Sequence, residues 1–130
     1  LEQSLMQSDE TPLLLNINVL NGLRKLAPHP EWLEDLYQQF LGQTRNQLKE
    51  LSEAVAQNNS KQCLFLLHAM KSSSGQVGGE TFAAQIEEWE LLLSGDARLA
   101  QMQYYEAIHQ TFMLLQAEIL KVFEQKEGHL

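Results

Sequence analysis

His68 is the residue in this chain whose type and position could do chemistry. It sits in a proline-free stretch, Leu64–Gly75, that reads as helix. Placed on a wheel at ~100° per residue, Leu66, Met70, Ser73 and Val77 gather on one side with Cys63 nearby, a face suited to a core. Lys61, Leu64, His68, Lys71, Ser72 and Gly75 fall opposite, so the imidazole is expected to point to solvent. A neutral imidazole is a nucleophile, and an ammonium one turn away can offset anionic charge. Small residues such as Ser72 and Gly75 leave a flat shelf beside the ring, and Leu64 adds an apolar contact. This combination suits transient transfer of a phosphoryl group with a docked protein. Taken singly the residues are ordinary: a lone histidine in an apolar helix is commonly a core residue, and a lone lysine is commonly solvated. The phase and the grouping carry the reading.

Such a stripe needs helices to hold it. From Pro12, the residues Leu13, Ile17, Leu20, Leu23 and Leu26 suggest one or two short opening helices. Pro28-His29-Pro30 breaks the chain. A long helix is then expected over Glu31–Gln57, with a stripe of Leu33, Leu36, Phe40, Thr44, Leu48, Leu51 and Val55. Asn58-Asn59-Ser60 forms a turn in which Asn59 or Ser60 can cap the next helix, Lys61–Val77. Gly78-Gly79 ends that helix. The next spans Glu80–Leu93, with Phe82, Ile86, Trp89 and Leu93 on one stripe; Ser94-Gly95-Asp96 stops it, with Gly95 suited to a left-handed cap. The last spans Leu99–Glu124, with Ile108, Phe112, Leu115, Ile119 and Val122 inward. There is no strand pattern of weight and no internal repeat. Long amphipathic helices joined by short turns pack as antiparallel neighbours. The expected fold is all-α, an antiparallel up-down-up-down four-helix bundle with a short additional N-terminal helix. Residues 1–11 read as a polar linker or tail, 12–126 as the bundle and 127–130 as a tail.

Composition narrows the class. The 130 residues suit one domain, and 44% are hydrophobic with 3 prolines and 7 glycines, as in a globular chain. Lys and Arg total 9 against 17 Asp and Glu, a formal charge of −8. That balance disfavours nucleic acid and anionic lipid as partners and suits a basic-rimmed protein. The single cysteine, Cys63, excludes an internal disulfide and fits a reducing compartment. No apolar run approaches the ~18 residues of a membrane span, and no signal peptide is visible. The first residue is Leu1 rather than a methionine, as expected for a piece of a larger protein.

The run His68-Ala69-Met70-Lys71-Ser72-Ser73-Ser74-Gly75-Gln76-Val77-Gly78 resembles the motif of the histidine-containing phosphotransfer (HPt) domain family of two-component phosphorelays: His, any residue, an aliphatic residue, Lys, a small residue, further small residues, an aliphatic residue and Gly. The likeness extends from Val19 to about Val122 and takes in Glu31-Trp32-Leu33, Phe82 and the Gly95-Asp96 turn. Ser72 stands where the family usually has Gly, and Glu90 where several members have a Gln that hydrogen-bonds the active imidazole. The resemblance implies that His68 is the phospho-acceptor, through its solvent-facing nitrogen Nε2. It implies that Lys71 offsets phosphoryl charge and that Leu64, Ser72, Gly75 and exposed residues of the opening helix dock the partner. Glu90 could orient the ring, repel the phosphoryl group, or simply be a solvated helix edge, which is the more ordinary reading.

The resemblance further implies a phosphocarrier without kinase activity of its own. Its partners would be response-regulator receiver domains, which supply their own Mg²⁺, so no cofactor and no metal site are expected here. It implies a cytoplasmic monomer without direct membrane contact, either standing alone or fused at the cytosolic end of a membrane-bound hybrid sensor kinase. Three other readings stand beside it. The phosphoacceptor domain of a sensor kinase typically follows its histidine with an acidic residue and a proline, whereas Ala69 follows His68 and no proline lies beyond Pro30. A di-metal bundle needs Glu-x-x-His on more than one helix, and only Glu106-Ala107-Ile108-His109 has it; His29 lies in a proline turn and His129 in the tail. A non-catalytic helical interaction module would use Trp32, Trp89, Tyr104 and Tyr105 as core or docking residues and would carry no phosphate.

Overall fold

A computed structural model describes the backbone of residues 14–127 and side chains as far as Glu124. The expected tail 1–11, Leu13 and residues 128–130 lie outside the described residues. Within them the chain is helical throughout, with no strand: α1 (Ile17–Leu26), α2 (Pro30–Ala56), α3 (Ser60–Gln76), α4 (Glu80–Gly95), a 3₁₀ turn (Ala97–Leu99) and α5 (Met102–Glu127). α2 to α5 form a ring in which each packs on its two neighbours, and α1 lies across one end against α2. Cross-contacts show the directions. Tyr37 near the start of α2 meets Phe123 near the end of α5, with ring centroids 5.7 Å apart, and donates from its hydroxyl to the Val77 carbonyl at the end of α3, 2.7 Å away. Phe82 early in α4 meets Phe112 of α5, and Trp89 later in α4 stacks on Tyr104 earlier in α5. The bundle is therefore antiparallel, up-down-up-down, with the short helix added at its N-terminus.

The local chemistry explains the boundaries. Pro30 starts α2 at a position where its missing N–H costs nothing. Asn59 caps α3 by accepting from the Gln62 N–H, 3.1 Å away. Both α2 and α3 end in the same way, with a left-handed residue that returns two backbone bonds to the last turn. For α2 that residue is Asn58 (φ 54), with Asn59 N donating to Ala54 O at 2.8 Å. For α3 it is Gly78 (φ 89), with Gly79 N donating to Ser74 O at 2.8 Å. Asn16 then seats α1 on the α3–α4 turn. Its backbone N–H donates to Gly78 O and its side-chain amide to Glu80 Oε1, both at 2.8 Å, while its Oδ1 caps α1.

The core follows the expected stripes with shifts. On α4, Phe82, Ile86, Trp89 and Leu93 are all buried, and on α5 Ile108, Phe112, Leu115 and Ile119 are. Each such side chain contributes roughly 1.5–3 kcal/mol of burial. Phe123 rather than Val122 closes the α5 stripe. On α2, Tyr37, Leu41 and Ala54 join the core, while Leu36 is only half-buried. On α3, Leu67 and Ser74 are buried where Ser73 was expected. The common cause is that each helix packs against two neighbours, so its buried arc is wider than one row and is centred between rows. Gly95 is not a left-handed cap: α4 runs through it, and the extended Asp96 (φ −152) ends the helix instead. Asp96 then caps the 3₁₀ turn by accepting from the Arg98 N–H at 3.0 Å.

Candidate functional site

α3 is anchored by Cys63, Leu66, Leu67, Met70 and Ser74, all buried between α2 and α4. That face fixes the rotation of the helix and sends His68 outward, with 70% of its side chain exposed. Ser72 and Gly75 are exposed on the same outward side, and a Cβ added at Gly75 would meet nothing within 4 Å. The approach to the ring is open along the helix toward its C-terminus.

α4 is held more tightly. Trp89 is buried, donates from its indole N–H to Leu99 O at 2.8 Å, and stacks on Tyr104 at 5.8 Å. With Trp89 turned inward, Glu90 is rotated ~100° from it, onto the flank that faces α3. Its side chain is only 17% exposed, and its carboxylate lies near two partners. Oε1 accepts from Lys71 Nζ at 2.6 Å, and Oε2 lies 3.4 Å from His68 Nδ1. Glu90 is therefore not a solvated helix edge. The second distance is beyond a normal hydrogen bond, so the carboxylate meets the ring by charge more than by a formed bond. The hydrogen bond that Lys71 donates to Glu90, opposed by desolvation and helped by the charges of Glu90 and Glu87, raises the pKa of Lys71 above the ordinary lysine value.

His68, Lys71 and Glu90 thus form one cluster across α3 and α4, with Nδ1 on the carboxylate side and Nε2 left to solvent. Leu64 is not fully exposed as expected: it is half-buried and packs against the core, on the flank of α3 that carries Lys71. The exposed apolar residue of this region is its neighbour Phe65, with 68% of its surface open. Its place three residues before His68 was the signal available in the sequence. The other histidines are set apart. His29 lies 3.1 Å from Glu31 in the exposed proline turn, and half-buried His109 stacks on Tyr105. His129 lies outside the described residues. Glu106 and His109 gather no further ligands: among the described residues no group of three His, Cys, Asp or Glu is placed to hold a metal ion. Cys63 is buried, and burial raises its thiol pKa.

The described residues thus form a helical bundle that turns a histidine outward, with a lysine one turn on and a carboxylate near the ring. The Hpt domain family matches residues 35–125, which is most of the chain, and this chain belongs to that family. Its members act in phosphotransfer in two-component signalling, as phosphocarriers rather than kinases. Comparisons with the curated proteins and with the solved structures found no match. Among the described residues no helix is long and apolar enough to cross a membrane.

Proposed function

We propose that this chain is a phosphorelay intermediate. His68 accepts a phosphoryl group from the aspartyl phosphate of one response-regulator receiver domain and passes it to another. The observation that carries the reading is the placement of Glu90 on the Nδ1 side of an otherwise open imidazole. A proton on Nδ1 is drawn to the carboxylate, which leaves the Nε2 lone pair as the nucleophile. Nε2 attacks phosphorus, the bond from phosphorus to the aspartyl oxygen breaks, and the receiver's carboxylate leaves with the electron pair. The ring keeps its Nδ1 proton and becomes an imidazolium, whose charge the Glu90 carboxylate stabilises. A second receiver's carboxylate reverses the step.

Lys71 offsets phosphoryl charge, and Ser72 and Gly75 let the receiver approach. Positioning and charge are all that this chain needs to supply. The Mg²⁺ of such a reaction belongs to the receiver, and no resident cofactor is invoked. The reading takes the chain as a cytoplasmic monomer, alone or joined to a hybrid sensor kinase.

The test is to charge a panel of receiver domains with labelled acetyl phosphate and Mg²⁺ and mix each with the wild-type chain and with His68→Gln. An acid-labile, base-stable label on wild type that is lost in His68→Gln supports the reading. Label that survives the substitution removes His68 from the role. No label from any receiver favours a plain helical interaction module.

A further inference from the structure

We infer that Phe65 is the apolar anchor by which a receiver domain docks over His68, and so a residue that sets which receivers this chain serves. The inference rests on the phosphorelay reading and adds to it a contact that the motif does not contain. Phe65 lies three residues before His68 on α3, a rise of about 4.5 Å along the helix axis and about 60° around it. The residue is 68% exposed, although α3 buries Cys63, Leu66, Leu67 and Met70 on its other side.

A protein that brings an aspartyl phosphate to Nε2 cannot avoid it. Even a small transient interface covers about 500 Å² on each side, a disc more than 10 Å in radius. A disc of that size centred on His68 covers Phe65, and docking strips water from the ring. An aromatic side chain desolvated near the centre of an interface is the kind of residue that dominates affinity. On the same outward side lies exposed Lys61, a cation beside the anchor in a chain whose net charge is −8. The partner fitted by this surface presents an apolar recess next to its anionic phosphoaspartate.

The experiment uses the receiver that labels wild-type His68 fastest. Initial transfer rates are measured against receiver concentration for wild type, Phe65→Ala, Phe65→Leu and Leu114→Ala. Leu114 is an exposed leucine on α5, which packs on α2 and α4, across the ring from α3. Phosphoramidate, a small donor that needs no docking, labels each variant in parallel. Phe65→Ala should raise KM about tenfold and leave kcat within about twofold. Phe65→Leu should restore part of the loss, Leu114→Ala should match wild type, and phosphoramidate should label all four chains equally. An unchanged KM in Phe65→Ala overturns the inference while leaving His68 as carrier. An equal loss in Leu114→Ala overturns it as well, since any apolar truncation would then act alike. Slower labelling of Phe65→Ala by phosphoramidate also overturns it, because the residue would then support the site itself. A wild-type chain labelled by no receiver removes the phosphorelay reading, and this inference with it.

Discussion

Glu90 binds Lys71 through a 2.6 Å hydrogen bond from Nζ to Oε1, so the ammonium nearest His68 is already paired before any phosphoryl group arrives. The same carboxylate turns its other oxygen to His68 Nδ1 at 3.4 Å. One carboxylate of α4 therefore lies against both His68 and Lys71, the two residues to which the proposed function gives roles. Under the proposed function, a phosphoryl group on Nε2 would compete with Glu90 for Lys71, and that pair would relax during each transfer.

The first prediction concerns that pair. Because the Glu90 hydrogen bond raises the pKa of Lys71, Glu90→Gln lowers it toward the ordinary lysine value of 10.5. A lysine whose folded value is raised contributes stability that is complete below the unfolded value and fades as pH rises through the folded one. The pair is thus intact at neutral pH and is lost only on the alkaline side. Titration of the Lys71 Cε signal by NMR in wild type and Glu90→Gln checks this; identical midpoints would contradict it. In receiver-to-His68 transfer, Glu90→Ala should be slower by about tenfold, the equivalent of one charge-assisted contact.

A second prediction separates two glycines. Gly78 adopts φ 89, and a Cβ there would lie 3.1 Å from both Asn16 O and Val19 Cβ. Gly78→Ala should destabilise the chain by about 2 kcal/mol, combining left-handed strain with the clash against α1. Gly95 ends α4 without a left-handed φ, and a Cβ there would meet nothing within 4 Å. Gly95→Ala should be neutral or stabilising by about 0.5 kcal/mol. Denaturant unfolding reads both, and equal effects would contradict the assignment.

The helix order and most inward residues were legible in the sequence because hydrophobic spacing records burial directly. The stripe Phe82, Ile86, Trp89 and Leu93 is inward residue for residue. Exposure at the edges of a stripe was less legible. Leu64 and Phe65 are adjacent and both apolar, and which one packs against the core depends on a helix rotation that tertiary packing sets. The end of α4 was misplaced because a glycine before an aspartate reads as a left-handed stop, whereas the Asp96 cap on the next turn does the work here. Glu90 was identified only as a position in a motif. Its hold on Lys71 depends on the register between α3 and α4, which no single helix encodes. The left-handed Asn58 was likewise indistinct within a run of turn formers.

A third prediction concerns the bundle end that supports α1. The Tyr37 hydroxyl is buried and donates to Val77 O at 2.7 Å. Tyr37→Phe should cost about 1–2 kcal/mol by leaving that carbonyl unpaired, with phosphoramidate labelling of His68 unchanged. Burial pushes the Tyr37 pKa from 10.0 up to about 12, against a smaller opposing effect of Arg24. A raised folded value means that stability is complete below pH 10 and falls as pH climbs from 10 through 12. Wild type should lose more stability than Tyr37→Phe across that interval in thermal unfolding at stepped pH. Parallel curves would contradict the assignment.

The central claim is that His68 carries phosphate on the nitrogen turned away from Glu90. Long-range ¹H–¹⁵N NMR of the imidazoles, before and after labelling with phosphoramidate, tests it most directly. The account predicts that of the 4 histidines His68 alone is modified, with phosphorus on Nε2 and the proton on Nδ1. Modification of His68 at Nδ1, or phosphate on His29, His109 or His129 instead, would contradict it.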